Sequence, residues 1–290
     1  MTNPRSISMQ RRLLGAELLR LREIAGLTQD EAAERLGKAP NKISRVESGK
    51  IGIDRSDLDV LLDLYQASEK DRLWCRDLAR AARPKRGRPT GSTVHVGPRW
   101  FRAFRDLESD ATEVMNVCSE VVPSILQTDT YVRAMFDGQG VDPADRKVTD
   151  TLRVRAERRR LLHREHAARF TFVLSESALR RQVGGPPVMA EQLRHLAGVA
   201  ALPNVTLQVV PFDSRSYASL TNIFTMFRFD HEMARDLVYV GMHADAMYLD
   251  KPDTVNSYAD HFRRLQAVAL EPPESRRLVQ TAAEEFAAKG

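Results

Sequence analysis

Asn41, Lys42 and Arg45 are the residues of this chain whose types and spacing read most directly as chemistry. A carboxamide pairs with the edge of adenine through two hydrogen bonds, and an ammonium or guanidinium does the same for guanine. The three fall within little more than one helical turn, so a single helix can present them together. That is the chemistry of reading base edges, not of breaking bonds. The spacings that catalysis uses are missing: no HExxH, G-x-S-x-G, GxxxxGK[ST] or GxGxxG occurs. His163 and His166 stand at i and i+3 on a charged segment with no third ligand in view, and read as solvated. His195, Asp230, His231, His243 and Asp245 are only a list at this level. The expectation is a protein that is not an enzyme, with no cofactor and no metal.

Something rigid must hold those three residues. Leu14, Leu18, Leu21 and Ala25 recur at helical spacing and predict an amphipathic helix over 9–25, ended by Gly26. Thr28 and Glu31 form a capping-box pattern at the start of a short second helix, whose buried side is Ala32, Ala33 and Leu36. Gly37 breaks it. A third helix over 41–48 carries Ile43 and Val46 inward and stops at Gly49. Asp54 or Ser56 caps a fourth with Leu58, Leu61, Leu62 and Tyr65, and a fifth over 69–80 carries Leu73, Trp74 and Leu78. Five short helices, two joined by a tight turn at Gly37, describe a helix-turn-helix domain.

The stretch LREIAGLTQDEAAERLGKAPNKISRVESGK, residues 21–50, resembles the Xre/lambda-repressor-like family. The resemblance implies that the third helix enters the major groove with its N-terminal residues toward base edges. By register those are Ala39, Pro40, Asn41, Lys42 and Arg45. Pro40 suits a first helical turn, but relatives often carry a polar residue there, and proline offers no base-reading group. Thr28, Gln29 and Lys50 are assigned to phosphates, the first two through the helix N-terminus. Relatives pair an Arg late in helix 1 with the Glu that closes the recognition helix. Arg22 and Glu47 match, and that pair would be structural.

The 290 residues exceed one ordinary core, so two domains are expected. Charge is divided unevenly. Residues 1–99 hold 20 Lys+Arg against 13 Asp+Glu, and residues 100–290 hold 24 against 26. All the excess positive charge is in the first third, the footprint of a nucleic-acid-binding front end on a nearly neutral body. No apolar run spans a bilayer, the N-terminus lacks a secretory h-region, and Cys75 and Cys118 form no framework. A reduced cytoplasmic protein is the natural reading.

Beyond residue 98 the pattern changes. Amphipathic helices are predicted around Trp100–Leu107, at Thr130–Phe136, from Asp142-Pro143 to about His166, and at Val188–Ala201, Val255–Leu270 and Ser275–Ala288. Short strands are predicted at Phe170–Leu174, Val205–Pro211, Phe224–Phe229 and Leu237–Val240. The fold class is thus an all-α five-helix helix-turn-helix domain followed by an α+β domain. The expected boundaries are 1–82, a basic linker at 83–97, and 98–290. VVPSILQTDTY (121–131), RVRAERRRLL (153–162), FVLSESALRRQVGG (172–185), VMAEQLRHL (188–196), PNVTLQVVPF (203–212), LVYV (237–240) and DHFRRLQAVALEPPES (260–275) resemble the C-terminal domain of unknown function of actinobacterial Xre regulators, also described as Scr1-type antitoxin-like. The usual first motif reads PGLLQT, so Ser124 replaces a glycine. The resemblance implies a transcriptional regulator, often encoded beside a very small partner protein, and no known ligand.

Three features keep alternatives open. Arg153, Arg155, Arg158, Arg159 and Arg160 are either a charged face paired with neighbouring acids or a dimer, partner or DNA-backbone surface. Tyr217, Phe224, Phe227, Phe229 and Tyr239 are core on a sheet or the lining of a pocket. The linker holds Pro84-Lys85-Arg86-Gly87-Arg88-Pro89, which looks like the R-G-R-P core of an AT-hook. Lys85, Arg86 and Arg88 either enter a minor groove, attract phosphates generally, or sit in a plain tether. The expected partner is double-stranded DNA, bound by a homodimer, since one recognition helix offers few base contacts. A small partner protein encoded nearby is the other expected partner, and no membrane is. The rival readings are an antitoxin that neutralises a small partner and autoregulates, and an enzyme with a DNA-binding appendage.

Overall fold

The structure, a computed structural model, describes residues 7–82, 99–214, 220, 222–230, 236–242 and 245–290. Its contacts divide the chain into two compact units, one around the first five helices and one around a β-sheet.

In the first unit, α1 (Ile7–Ile24), α2 (Gln29–Arg35), α3 (Pro40–Glu47), α4 (Arg55–Leu64) and α5 (Glu69–Ala81) follow in quick succession. Leu13, Leu18, Leu21, Ala33, Ile43, Val46, Leu58, Leu61 and Leu62 make one continuous core. The capping box at Thr28 forms as the sequence predicts, and Ser68 caps α5 by accepting from the Asp71 N–H. Asp54, not Ser56, stands at the start of α4, and its side chain caps nothing. The inward face of α5 differs from the expectation. Leu78 is buried, but Leu73 and Trp74 are 57% and 36% exposed, and Cys75 and Ala79 fill the core instead. A helix shows about one side in three to its neighbours, and the small residues face the crowded side.

The second unit is built on a six-stranded sheet: β1 (Glu113–Cys118), β2 (Arg169–Ser175), β3 (Val205–Val210), β4 (Phe224–Arg228), β5 (Leu237–Gly241) and β6 (Ala246–Leu249), in the order β3-β2-β1-β4-β5-β6. β1, β2 and β3 are parallel, while β4, β5 and β6 continue the sheet antiparallel from β1. Helices α6 (Arg99–Asp110), α7 (Asp129–Asp137), α8 (Arg146–Arg159), α9 (Ser177–Arg180), α10 (Pro186–Val199), α11 (Pro252–Val268) and α12 (Pro272–Ala287) complete the chain. Parallel pairing needs a crossover: α7 and α8 lie between β1 and β2, α9 and α10 between β2 and β3. β2 and β3 are buried along nearly their whole length, as strands covered on both faces are. On one face α11 sets Val255, Phe262 and Leu265 against Phe224, Met226 and Val238. α12 is tied to β3 by Ser275, whose fully buried Oγ accepts from the Val209 N–H and donates to the Leu270 carbonyl.

Two strands lie outside the sequence expectation. β1 is central but carries Glu113 and Asn116; the Asn116 amide donates 2.8 Å to the Thr225 hydroxyl on the neighbouring strand, so a polar residue is accommodated there. β6 is four residues long and half exposed at the sheet edge. The long charged helix is also shorter than its pattern. It starts at Arg146 under an Asp145 cap and tightens into a 3₁₀ turn over Arg160–His163. Of the aromatic set, Phe224 and Phe227 are core. Tyr217, His231 and His243 lie outside the described residues. No helix among the described residues is long and apolar enough to cross a membrane.

Candidate nucleic-acid interface

α3 begins at Pro40 with Ala39 as an uncapped first residue. Ile43, Val46 and Glu47 face the core, while Ala39, Pro40, Asn41, Ser44 and Arg45 are exposed. Asn41, Ser44 and Arg45 fall at i, i+3 and i+4, one stripe of a helix. A carboxamide, a hydroxyl and a guanidinium in that stripe offer donors and acceptors to base edges. Ser44 was not among the residues the sequence singles out. Its exposure depends on helix phase, which the buried pair Ile43 and Val46 sets.

Lys42 is turned elsewhere. Its ammonium sits 2.6 Å from Asp57 Oδ2 on α4, with the two side chains 26% and 19% exposed. In this structure its charge is therefore neutralised at the α3–α4 junction and is not offered with the stripe.

The back of α3 is fixed by a polar cluster. Arg22 Nε and Nη2 donate to the two oxygens of Glu47 at 2.6 and 3.1 Å, and Arg22 Nη1 donates 2.7 Å to the Leu27 carbonyl. Both side chains are almost wholly buried. The bond to Glu47 holds the Arg22 guanidinium charged, its pKa raised above the ordinary value. Gln29 completes the cluster, donating 2.8 Å to Glu47 Oε2. The Gln29 side chain is thus part of the scaffold, and the phosphate contact expected at this residue falls to its backbone N–H at the start of α2. Tyr65, buried beside Glu47, has its phenol pKa pushed up by burial.

A second device was invisible in the side-chain pattern. A Cβ on Gly15 of α1 would stand 2.3 Å from the Glu47 carbonyl oxygen and 2.5 Å from that of Val46. Glycine at this position lets the end of α3 lie directly on α1. Gly49 does two jobs at once: it has φ +70°, and a Cβ there would meet Arg12 Cα at 2.8 Å.

At the start of α2 the anion position is already occupied. Glu31 Oε2 accepts from the Thr28 N–H at 2.7 Å and the Thr28 hydroxyl at 2.8 Å. The Thr28 backbone bond holds the Glu31 carboxyl below its usual pKa. A phosphate approaching Thr28 would meet that carboxylate, so the capping box and a phosphate contact compete for one group. Lys50 is exposed just beyond α3. Lys85, Arg86 and Arg88 lie outside the described residues.

The second unit supplies the decisive match. Residues 101–281 match the family described as a domain of unknown function (DUF5753). The chain belongs to the DUF5753 family. Residues 13–74 of this DUF5753 protein match a helix-turn-helix domain, from within α1 to within α5. The N-terminal unit is thus a helix-turn-helix domain, the module of a DNA-binding regulator. No curated protein matches the chain. Within the DUF5753 region the motifs at 121–131 and 153–162 meet in space. Arg158 Nη1 donates 2.7 Å to Ser124 Oγ, and Arg159 Nη1 donates 2.7 Å to the Gln127 carbonyl. Ser124, standing where the usual motif has glycine, lies in a 3₁₀ turn, and its φ is not positive. His163 and His166 are exposed. Among the described residues no three His, Cys, Asp or Glu side chains are grouped to hold a metal.

Proposed function

We propose that this DUF5753 protein is a cytoplasmic, sequence-specific transcriptional regulator of the Xre/lambda-repressor-like kind. It reads the major groove with α3, acts as a homodimer on paired half-sites, and carries out no catalysis. Its C-terminal domain answers to a small ligand or a small partner protein. The observation that carries the reading is the division of labour on α3. Asn41, Ser44 and Arg45 are exposed in one stripe, while Glu47 on the opposite side is locked to Arg22 and Gln29. A side chain held at the right height on a braced helix loses little freedom on binding, so its bonds count toward discrimination. The basic excess of residues 1–99 adds the sequence-independent attraction to phosphate.

The test is selection of duplexes from a random pool by the full-length protein. The expected product is a symmetric motif whose half-sites are about 10 bp apart or a multiple of that. Arg45→Ala should relax the preference at one position of each half-site. Binding that prefers no duplex over random competitor would remove the reading.

A further inference from the structure

The arginines of α8 form the most unusual electrostatic feature of the second unit. Arg155, Arg158 and Arg159 stand at i, i+3 and i+4, on the side of α8 that meets the segment from Ser124 to Tyr131. Arg158 is 5% exposed, hydrogen-bonds Ser124, and lies 5.8 Å from the Phe101 ring. Arg159 is held by the Gln127 carbonyl and, at 2.7 Å, by Asp129 Oδ1. Arg155 has no such arrangement. Its Nη1 is sealed from solvent without a hydrogen-bond partner, and it forms no ion pair with any described residue. Beside it, Tyr131 is fully buried; its hydroxyl faces the Val122 N–H and donates to no acceptor among the described residues. Arg181, close to Tyr131, is already paired with Glu120.

A guanidinium does not shed its proton to escape burial, and buried charges in proteins are paired. Desolvation and the neighbouring Arg158 and Arg159 together push Arg155 down to about 10, which still leaves it a cation at neutral pH. The cluster therefore lacks one countercharge and has two spare donors, one charged and one phenolic. Arg155 as a whole is only partly buried.

We propose that Arg155 and Tyr131 form a binding site for a small oxyanion, the phosphate or carboxylate group of a diffusible ligand. The anion accepts from the Arg155 guanidinium and the Tyr131 hydroxyl. Guanidinium favours such groups because its N–H fork matches two oxygens of a phosphate or carboxylate. The site gives a chemical class to the ligand of the regulator proposed above. It rests on that reading for its regulatory consequence only, and binding is measured without DNA.

The experiment is thermal unfolding of the full-length protein with inorganic phosphate, pyrophosphate or citrate at up to about 10 mM, against KCl of equal ionic strength, since multivalent anions also stabilise proteins by exclusion. A saturable rise in the unfolding midpoint is expected from at least one anion. A response to the phosphates alone or to citrate alone identifies the oxyanion and supports the site. Arg155→Met should behave in a way no merely structural arginine would. Without anion its midpoint rises, because an uncompensated charge is gone, and its response to the anion weakens at least tenfold. If that variant fails to fold, Arg155→Lys, which keeps the charge and loses the fork, should still weaken the response. A wild-type midpoint that rises no more with any of the three anions than with KCl overturns the proposal. So does an unchanged response in the folded Arg155 variant. Failure of the duplex selection would leave these results untouched.

Discussion

Arg22 and Arg155 are both withdrawn from water, and their surroundings treat them oppositely. Arg22 has a carboxylate on two of its nitrogens and a carbonyl on the third, and its charge is held. Arg155 has an unpaired buried nitrogen, two more guanidiniums on its own helix, and a depressed pKa. The first arrangement is complete as it stands and fixes one helix against another. The second is complete only with something added. Burial of a charge by itself says neither; the partner count decides which arginine is architecture and which is a place for a ligand.

The largest expected effect breaks the complete side of that comparison. Glu47→Ala leaves Arg22 buried with only the Leu27 carbonyl and takes from Gln29 its acceptor. Loss of one half of such a pair costs roughly 3–5 kcal/mol, so the first unit's urea midpoint should fall steeply. Glu47→Gln keeps the shape and should fall less. An unchanged midpoint for Glu47→Ala would mean that the pair adds nothing to folding. Next in size is Gly15→Ala. The added methyl must displace the α3 backbone at Glu47 and Val46. Overpacking of this kind costs about 1–3 kcal/mol, and because the strain falls on the recognition helix, duplex affinity should drop alongside stability. Loss of stability with unaltered affinity would show that α3 tolerates the shift.

Why Arg22–Glu47 was legible and Gly15 was not follows from where each signal resides. The helices of the first unit announce themselves through Leu14, Leu18, Leu21 and the three glycines Gly26, Gly37 and Gly49, which take positive φ at helix ends. The Arg–Glu pair was legible through resemblance. Gly15 sits mid-helix with no local role; its reason is a backbone 32 residues away in sequence, at Glu47. The same holds for Asp57, which looks like an ordinary first-turn acid until α4 is placed beside Lys42. In the second unit, β2 through β5 carry β-branched and aromatic runs and were readable. β1 was hidden by Glu113 and Asn116, whose tolerance depends on a cross-strand threonine. The arginines of α8 stay open in the sequence between a charged face paired with acids and a partner surface, because charge periodicity cannot show which of them the 121–131 segment covers.

Cys75 sharpens the comparison with a group buried in its neutral form. Burial pushes its thiol up to about 12, whereas in an unfolded chain a thiol titrates near 8.5. Below about pH 8.5 both states are protonated and the full stability is present. Above it the unfolded chain releases a proton that the native state keeps, so stability is lost as pH rises toward 12, by up to about 1.4 kcal/mol per pH unit. Cys75→Ala lacks this dependence. It should be the weaker protein at pH 8, and its deficit should shrink by about 1 kcal/mol at pH 9.5. Urea midpoints at the two pH values check this, and a constant deficit would mean that the thiol ionises as readily folded as unfolded.

The smallest effect concerns a partnered cation far less sealed than Arg22, and is the most telling about DNA. Lys42 and Asp57 are an ion pair that is neither sealed nor free, so breaking it should change folding stability by less than about 1 kcal/mol. Its consequence is for charge. With Asp57 in place, Lys42 adds little net positive potential to the exposed side of α3. In Asp57→Asn the ammonium is released one residue from Asn41, free to reach a phosphate. Each phosphate neutralised steepens the dependence of log affinity on log salt by about 0.9. Asp57→Asn should therefore bind random duplex a few-fold more tightly at low salt, with a slope steeper by about one contact, while its preference for the selected site narrows. Lys42→Met in the same background should restore the original slope. Anisotropy titrations across a KCl series with specific and random duplexes read both quantities. If the slope is unaltered, Lys42 already leaves Asp57 when DNA binds, and the carboxylate serves α3 only in the free protein.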